Sequence, residues 1–342
     1  MIKIEEVVLD LLANHLFNKN IDSLYLEDLT KEQWEDVYYY TCRHNVTALV
    51  FDAVDNLGFR PKNYKRALWV MKVDAIEKHY DKTVEVVDEF RELLSKHNIQ
   101  MMLIKGLGIC RFYPNPRHRT MSDIDIYLYG DHDKAVKILE EELGIKTSCR
   151  VKDHHSKMNY KGLLIENHYD FIDTNTYKDT VESEKLLKEL AAKGNEPLLH
   201  LLFNVYHLAS HFAGEVISLR HLLDWYFLWQ EYADKVDIDE FYKIVDKAGK
   251  RRFCNGLNGV IIRFFGLSSG VFEGYVADEK LEEKMCKNIL NPELEIEGKE
   301  RVLVTFNRFL KNRWKYKLIY PRENVLMVLV KKFVIWLKNL IK

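Results

Sequence analysis

The chain has 342 residues, 51 of them Lys or Arg and 52 Asp or Glu, for a formal net charge of −1. That balance removes a global electrostatic case for a nucleic-acid partner. A 47% hydrophobic and 12% aromatic content excludes a disordered chain, and the length allows one large domain or two ordinary ones. The N-terminus, MIKIEEVVLDLLANHLF, is acidic and amphipathic and lacks the basic start and small-residue cleavage site of a signal peptide. EEVVLDLLANHLF, KEQWEDVYYYTCRHN and TALVFDAVDNL carry apolar residues at helical spacing. From Asn63 to Lys96 neither Gly nor Pro interrupts the same pattern, which predicts one helix of about nine turns.

Residues 99 to 173 change character. IQMMLIKG is a short apolar run ending in Gly, a strand by its composition, and LGICRFY reads as a turn or two of helix. PNPRHRTM is a loop by its two prolines. MSDIDIYLYG then alternates Ile124, Ile126 and Leu128 with Asp123, Asp125 and Tyr127, so a strand here carries both aspartates on one face. DHDKAVKILEEEL is a helix with Asp131 or Asp133 near its N-cap. GIKTSCRV, SKMNYKG and LLIENHYDFID follow as short strand segments, the last two joined by a hairpin turn at Lys161-Gly162. The five cysteines, Cys42, Cys110, Cys149, Cys254 and Cys286, form no C-x-x-C pair and read as reduced thiols of a cytoplasmic protein. After about residue 182 helical spacing returns in EPLLHLLFNVYHLASHF, LRHLLDWYFLWQEYA and DIDEFYKIVDKAG, with no internal repeat.

Two carboxylates side by side on a strand repel each other and call for a cation. Mg²⁺, or Mn²⁺, takes hard oxygen ligands, usually one or two carboxylates together with substrate phosphates. A third carboxylate is normally needed on the attacking side of such a centre. Glu166 on LLIENHYDF offers it, with His168 and Asp170 on the same face by parity. Gly106 permits close approach of a phosphate, Lys105 is a nearby positive charge for it, and Arg117 and Arg119 on the Pro-rich loop could do the same. Singly, these are ordinary features: a D-x-D on a solvated strand face, a surface glutamate. Their joint order is more specific.

That order resembles the nucleotidyltransferase fold shared with DNA polymerase β, which has a Gly-containing turn, D-x-[DE] on one strand and a third carboxylate on a later one. Within it the chain is most similar to a bacterial nucleotidyltransferase family with K-G…Y-P-x-P…R…D-I-D and a later E-x-H strand. The matching residues are Lys105-Gly106, Tyr113-Pro114-Asn115-Pro116, Arg119, Asp123-Ile124-Asp125 and Glu166-Asn167-His168. The resemblance implies an ATP-binding or other nucleoside triphosphate-binding enzyme. Asp123, Asp125 and Glu166 would be its catalytic metal ligands, and Lys105, Gly106 and Arg119 would hold the nucleotide. His168 and Arg220 are minor candidates. One departure is that Leu107 follows Gly106 where the superfamily usually has Ser, and Lys105 is expected to compensate.

In the flanks, His207 and His211 share a helical face at i and i+4 but lack an H-E-x-x-H, and read as core or interface histidines. Arg220 and Asp224, at the same spacing, read as a structural ion pair, and Trp225, Phe227, Trp229 and Tyr232 as core. Between Arg308 and Lys342 ten residues are basic and only Glu323 is acidic. Residues 325 to 342 are expected to form a helix that packs on the body, or instead is covered by a partner chain or makes peripheral contact with an anionic membrane. No run of uncharged apolar residues is long enough to span one. The expected architecture is α+β, a nucleotidyltransferase-like mixed sheet at 99–181 between helical regions at 1–98 and 182–342. The expected function is Mg²⁺-dependent nucleotidyl transfer from a nucleoside triphosphate to an unknown acceptor, in the cytoplasm. The alternative is a non-catalytic nucleotide- or partner-binding module.

Overall fold

A computed structural model describes residues 3–58, 60–148, 154–174, 180–214, 216–291 and 301–324. The periodic segments of the first hundred residues form α1 (Ile4–Phe17), α2 (Lys31–Arg43), α3 (Thr47–Asp55) and α4 (Arg66–Lys96). Thr30 and Gln33 cap α2 reciprocally, each side chain accepting from the other's backbone N–H. The uninterrupted stretch becomes α4, a single helix of 31 residues with Trp69, Val73, Ile76, Val86, Phe90 and Leu94 buried along it.

The middle of the chain supplies β1 (Met102–Leu103), α5 (Leu107–Cys110), β2 (Asp123–Tyr127), α6 (His132–Leu143), β3 (Thr147–Ser148), β4 (His155–Tyr160) and β5 (Leu163–His168). The strands form one mixed sheet in the order β1-β2-β5-β4-β3. β2 and β5 are parallel, and the other pairs are antiparallel. Lys161 and Gly162 form the two-residue β4–β5 turn, both with positive φ (50° and 74°), as a type I′ hairpin requires. The apolar run before Gly106 is shorter as a strand than its composition suggests. Only Met102 and Leu103 join the ladder before the backbone turns at Gly106, where φ is +54°. Asp131 occupies the N-cap of α6, but its side chain makes no capping bond, since its backbone (ψ 19°) is not extended.

Helices follow: α7 (Thr180–Ala192), α8 (Glu196–Gly214), α9 (Leu219–Tyr232), α10 (Ile238–Lys247), α11 (Arg251–Phe265), α12 (Glu279–Leu290) and α13 (Arg301–Ile319). One sheet face carries Ile124, Ile126, Met158 and Ile165 and packs on α4 and α6 through Val86, Phe90, Ile138 and Leu139. The other face looks toward a larger cluster in which helices from both ends of the chain share one core, from Val7 and Leu11 to Trp225, Phe253 and Ile319. His44, just after α2, ties the two ends together. Its Nδ1 accepts from Leu219 N (3.2 Å) and its carbonyl from Arg220 N (3.3 Å), fixing the start of α9. No helix among the described residues is long and apolar enough to cross a membrane. The helix expected at 325–342 lies outside them.

Candidate functional site

The parallel β2–β5 register sets Asp125 beside Glu166 and Tyr127 beside His168. The antiparallel β4–β5 register sets Lys157 beside Glu166 and His155 beside His168. Paired residues share a face and residues two apart share a face. Asp123, Asp125, Glu166, His168, His155 and Lys157 therefore all project from the sheet toward the helical body. Ile124, Ile126 and Ile165 take the opposite face, and one alternating pattern thus makes both a core and a cluster of charge.

Asp125 is the centre of that cluster and only 1% exposed. Its Oδ1 lies 2.7 Å from Lys105 Nζ and 3.0 Å from His168 Nε2. Its Oδ2 is buried with no hydrogen-bond partner among the described residues. Burial pushes the carboxyl upward, but Lys105 and His168 outweigh it and hold it below the usual carboxylate range. Burial likewise opposes charge on Lys105, and Asp125 and Asp123 overcome it, leaving the ammonium above its ordinary value. Glu166 Oε1 pairs with Lys157 Nζ at 2.6 Å, and His155 Nε2 lies 3.4 Å from the same oxygen. Ligand atoms of Asp125, Glu166 and His168 all fall within 4.8 Å of one another, as do those of His154, His155 and His168. These are the two such clusters among the described residues, and Asp123 belongs to neither. Its carboxylate instead accepts from Ser122 Oγ (3.0 Å) at the cleft edge.

Gly106 sits where the chain leaves β1 and passes β2. A side chain there would start 3.1 Å from the Asp123 carbonyl oxygen, in addition to the strain of a positive φ. Lys105 is thereby delivered to the acids, its side chain 16% exposed.

The facing wall comes from α8 and α9. Asp224 accepts from Arg119 Nε (3.0 Å) and Tyr113 Oη (2.8 Å) on Oδ1, and from Arg119 Nη2 (2.7 Å) and Arg220 Nη1 (3.0 Å) on Oδ2. Arg119, expected to meet the triphosphate, is thus paired in bidentate fashion and 3% exposed. Arg220 also reaches His221 Nε2 (2.9 Å). Two guanidinium groups on one carboxylate leave one positive charge in excess on this wall. His207 and His211 stack edge-on at 4.3 Å between ring centroids, with His221 5.4 Å from His211. Burial lowers the pKa of His207 and of His221 well below the imidazole range, so these rings are neutral at pH 7. Between the walls is a cavity of about 680 Å³ lined by Lys105, Gly106, Asp123, Asp125, Glu166 and Arg220 among others.

A protein-family profile described as an uncharacterised nucleotidyltransferase matches residues 30–266. The chain belongs to this nucleotidyltransferase family. No curated protein and no solved structure matches it. The match spans the sheet together with helices on both sides, so the family unit includes both walls of the cleft. Membership points to a transferase with a nucleotide substrate, and proteins of this kind usually use divalent metal ions. The carboxylate–imidazole cluster fits a cation: it has anionic oxygens, a lone-pair nitrogen and a buried carboxylate oxygen lacking a partner.

Three residues of this cluster, His154, His155 and Lys157, were not singled out from sequence. The signal was present. A two-residue turn at Lys161-Gly162 puts Tyr160 opposite Leu163, and counting back along the hairpin puts Lys157 opposite Glu166 and His155 opposite His168. Asp224 was legible only as a partner of Arg220. Its pairing with Arg119 spans 105 residues and leaves no local trace.

Proposed function

We propose that the protein transfers a nucleoside monophosphate from a nucleoside triphosphate to an acceptor hydroxyl, releasing pyrophosphate. The observation that carries this reading is the buried Asp125 carboxylate, with one oxygen unpartnered, clustered with Glu166 and His168 at the floor of a nucleotide-sized cavity. Leaving a buried carboxylate oxygen without a donor costs about 1–3 kcal/mol or more, a penalty that a ligand removes. A divalent ion held by Asp125 and Glu166, with Asp123 at the rim, would polarise the α-phosphate and lower the pKa of the attacking hydroxyl.

The chain's own residues do the rest. Glu166 accepts the proton of the acceptor hydroxyl as its oxygen bonds to the α-phosphorus. The bond from that phosphorus to the bridging oxygen breaks, and the electron pair leaves with pyrophosphate. Lys105 moves from Asp125 to the triphosphate and takes the place of the hydroxyl that Leu107 lacks. Gly106 keeps the path beside β2 clear of a side chain. Arg119 acts through Asp224, fixing α9 so that Arg220 faces the phosphates across the cleft.

The test is nucleotide binding by calorimetry with Mg²⁺ or Mn²⁺ and with a chelator, for the intact protein and Asp125→Asn. Metal should tighten binding only in the intact protein, and equal affinity under both conditions would refute the reading. A second reading, a non-catalytic nucleotide-binding module, is favoured by the ammonium groups on the acids: Lys105 at 2.7 Å and Lys157 at 2.6 Å neutralise them without a metal. Mass-spectrometric screening of acceptor pools with each labelled triphosphate separates the two, because only transfer yields pyrophosphate and a modified acceptor.

A further inference from the structure

His168 has an arrangement that nucleotidyl transfer on carboxylates alone does not require. The residue is 3% exposed. Its Nδ1 lies 3.3 Å from the Asp170 carbonyl oxygen, which can only accept, so Nδ1 carries a proton. In the neutral ring Nε2 then bears the lone pair. That nitrogen sits 3.0 Å from Asp125 Oδ1 and 3.8 Å from Glu166 Oε2. Without an ion, a proton on Nε2 can bridge to Asp125 Oδ1; an ion that takes the place of that proton receives the lone pair, with both carboxylates beside it. An imidazole whose other N–H is tied to a backbone carbonyl is the usual second-shell pattern of a metal-ligating histidine. The unpartnered Asp125 Oδ2 independently marks the same spot as short of a ligand. His154 and His155 converge on His168 from β4 and the residue before it, adding nitrogen donors beside the carboxylates.

We propose that the metal position of this protein is a mixed nitrogen–oxygen site, with His168 Nε2 as a direct ligand beside Asp125 and Glu166, selective for a first-row transition ion over Mg²⁺. The reason is donor chemistry. Mg²⁺ takes oxygen ligands and keeps several waters, whereas imidazole suits Fe²⁺ and Zn²⁺, and Mn²⁺, which favours oxygen, stands between them. The inference rests on the site read above as the nucleotidyl-transfer centre, but concerns its ion.

The experiment uses the full chain, stripped with chelator and then titrated with Mn²⁺, Zn²⁺ or Mg²⁺ without nucleotide. Transition ions bind most mixed sites more tightly than Mg²⁺, so affinity alone does not decide. The decisive readouts are ¹⁴N coupling in the electron spin-echo spectrum of bound Mn²⁺ and the response to substitution. His168→Gln should abolish the coupling and lower Mn²⁺ and Zn²⁺ affinity on the order of 10–100-fold, with Mg²⁺ affinity nearly unchanged. Asp125→Asn, which keeps the imidazole, should weaken all three ions alike. Bound Mn²⁺ without nitrogen coupling in the unsubstituted protein overturns the inference, whatever the folding of the variants. So does a His168→Gln protein with an unchanged Mn²⁺-to-Mg²⁺ affinity ratio. Pyrophosphate release without nitrogen coupling sinks this inference alone. Nitrogen coupling without metal-dependent triphosphate binding sinks the transfer reading alone.

Discussion

Two buried aspartates face each other across the cleft, and their surroundings differ in one respect. Asp224 receives two donors on each oxygen, from Arg119, Arg220 and Tyr113. Asp125 receives Lys105 and His168 on one oxygen and nothing on the other among the described residues. Both carboxyls are held below their ordinary range by neighbouring cations that outweigh burial. The charge balance is similar, and hydrogen-bond satisfaction separates them. A saturated carboxylate joins elements and has no capacity for a ligand. An unsaturated one in a cleft retains that capacity at some cost in stability.

The sharpest way to break this comparison is to neutralise each aspartate in turn. Asp224→Asn leaves the buried Arg119 guanidinium and the half-buried Arg220 guanidinium without a counter-charge, and loss of a buried partner typically costs about 3–5 kcal/mol. Asp125→Asn should cost no more than about half that, because Lys105 also has Asp123 and Glu166 nearby. Urea unfolding of the two variants measures both values, and equal losses would remove the distinction.

Lys105→Met should weaken triphosphate binding by about 1–3 kcal/mol, the range for a charge-assisted hydrogen bond, or roughly 5- to 150-fold. The corresponding change at the other cluster, Arg119→Met, should act mainly on stability. Calorimetry together with unfolding would separate the two, and unchanged triphosphate affinity in Lys105→Met would exclude the phosphate role.

This contrast also shows what the sequence carried. The helices, the D-x-D strand, the Lys161-Gly162 turn and the alternation at residues 123–128 were legible because each depends on neighbours within a few residues. Strand parity and the resemblance together put Asp125 and Glu166 in one cluster, but they named Asp123 as the third ligand, and the structure puts His168 there instead. The side chains that decide how each aspartate is used were not legible. Arg119 meets Asp224 across the chain, and Asp123 turns to Ser122 by a choice of rotamer that no spacing reveals.

The pH dependence of stability follows from the saturated cluster. Burial alone would raise the Asp224 carboxyl, but Arg119 and Arg220 hold it below the usual range. The unfolded chain therefore takes up this proton at a higher pH than the folded protein. The stabilisation is fully present above the unfolded value of about 4 and drains away as pH falls toward the folded value. The difference in unfolding free energy between the intact protein and Asp224→Asn should be flat from pH 7 to about 5. Below about pH 4 it should shrink by up to about 1.4 kcal/mol per pH unit. A difference that grows on acidification would reverse the sign and the assignment.

The smallest expected effect on stability falls on Lys157. Its ammonium lies 2.6 Å from Glu166, but its side chain is 42% exposed, unlike any of the groups around Asp224. Solvent screens such a pair, and Lys157→Gln should change stability by less than about 1 kcal/mol. Its effect on ion binding should be larger in proportion and of opposite sense. Glu166 is one of the cluster's ligands, and a lysine resting on it competes with a cation for the same oxygen. Removing that competitor should tighten Mn²⁺ binding severalfold, while removing any donor to Asp224 should leave Mn²⁺ binding unaltered. A Lys157→Gln protein that binds Mn²⁺ more weakly would show that this lysine supports the site rather than competing for it. Glu166 would then belong with Asp224 among the carboxylates that hold the fold together.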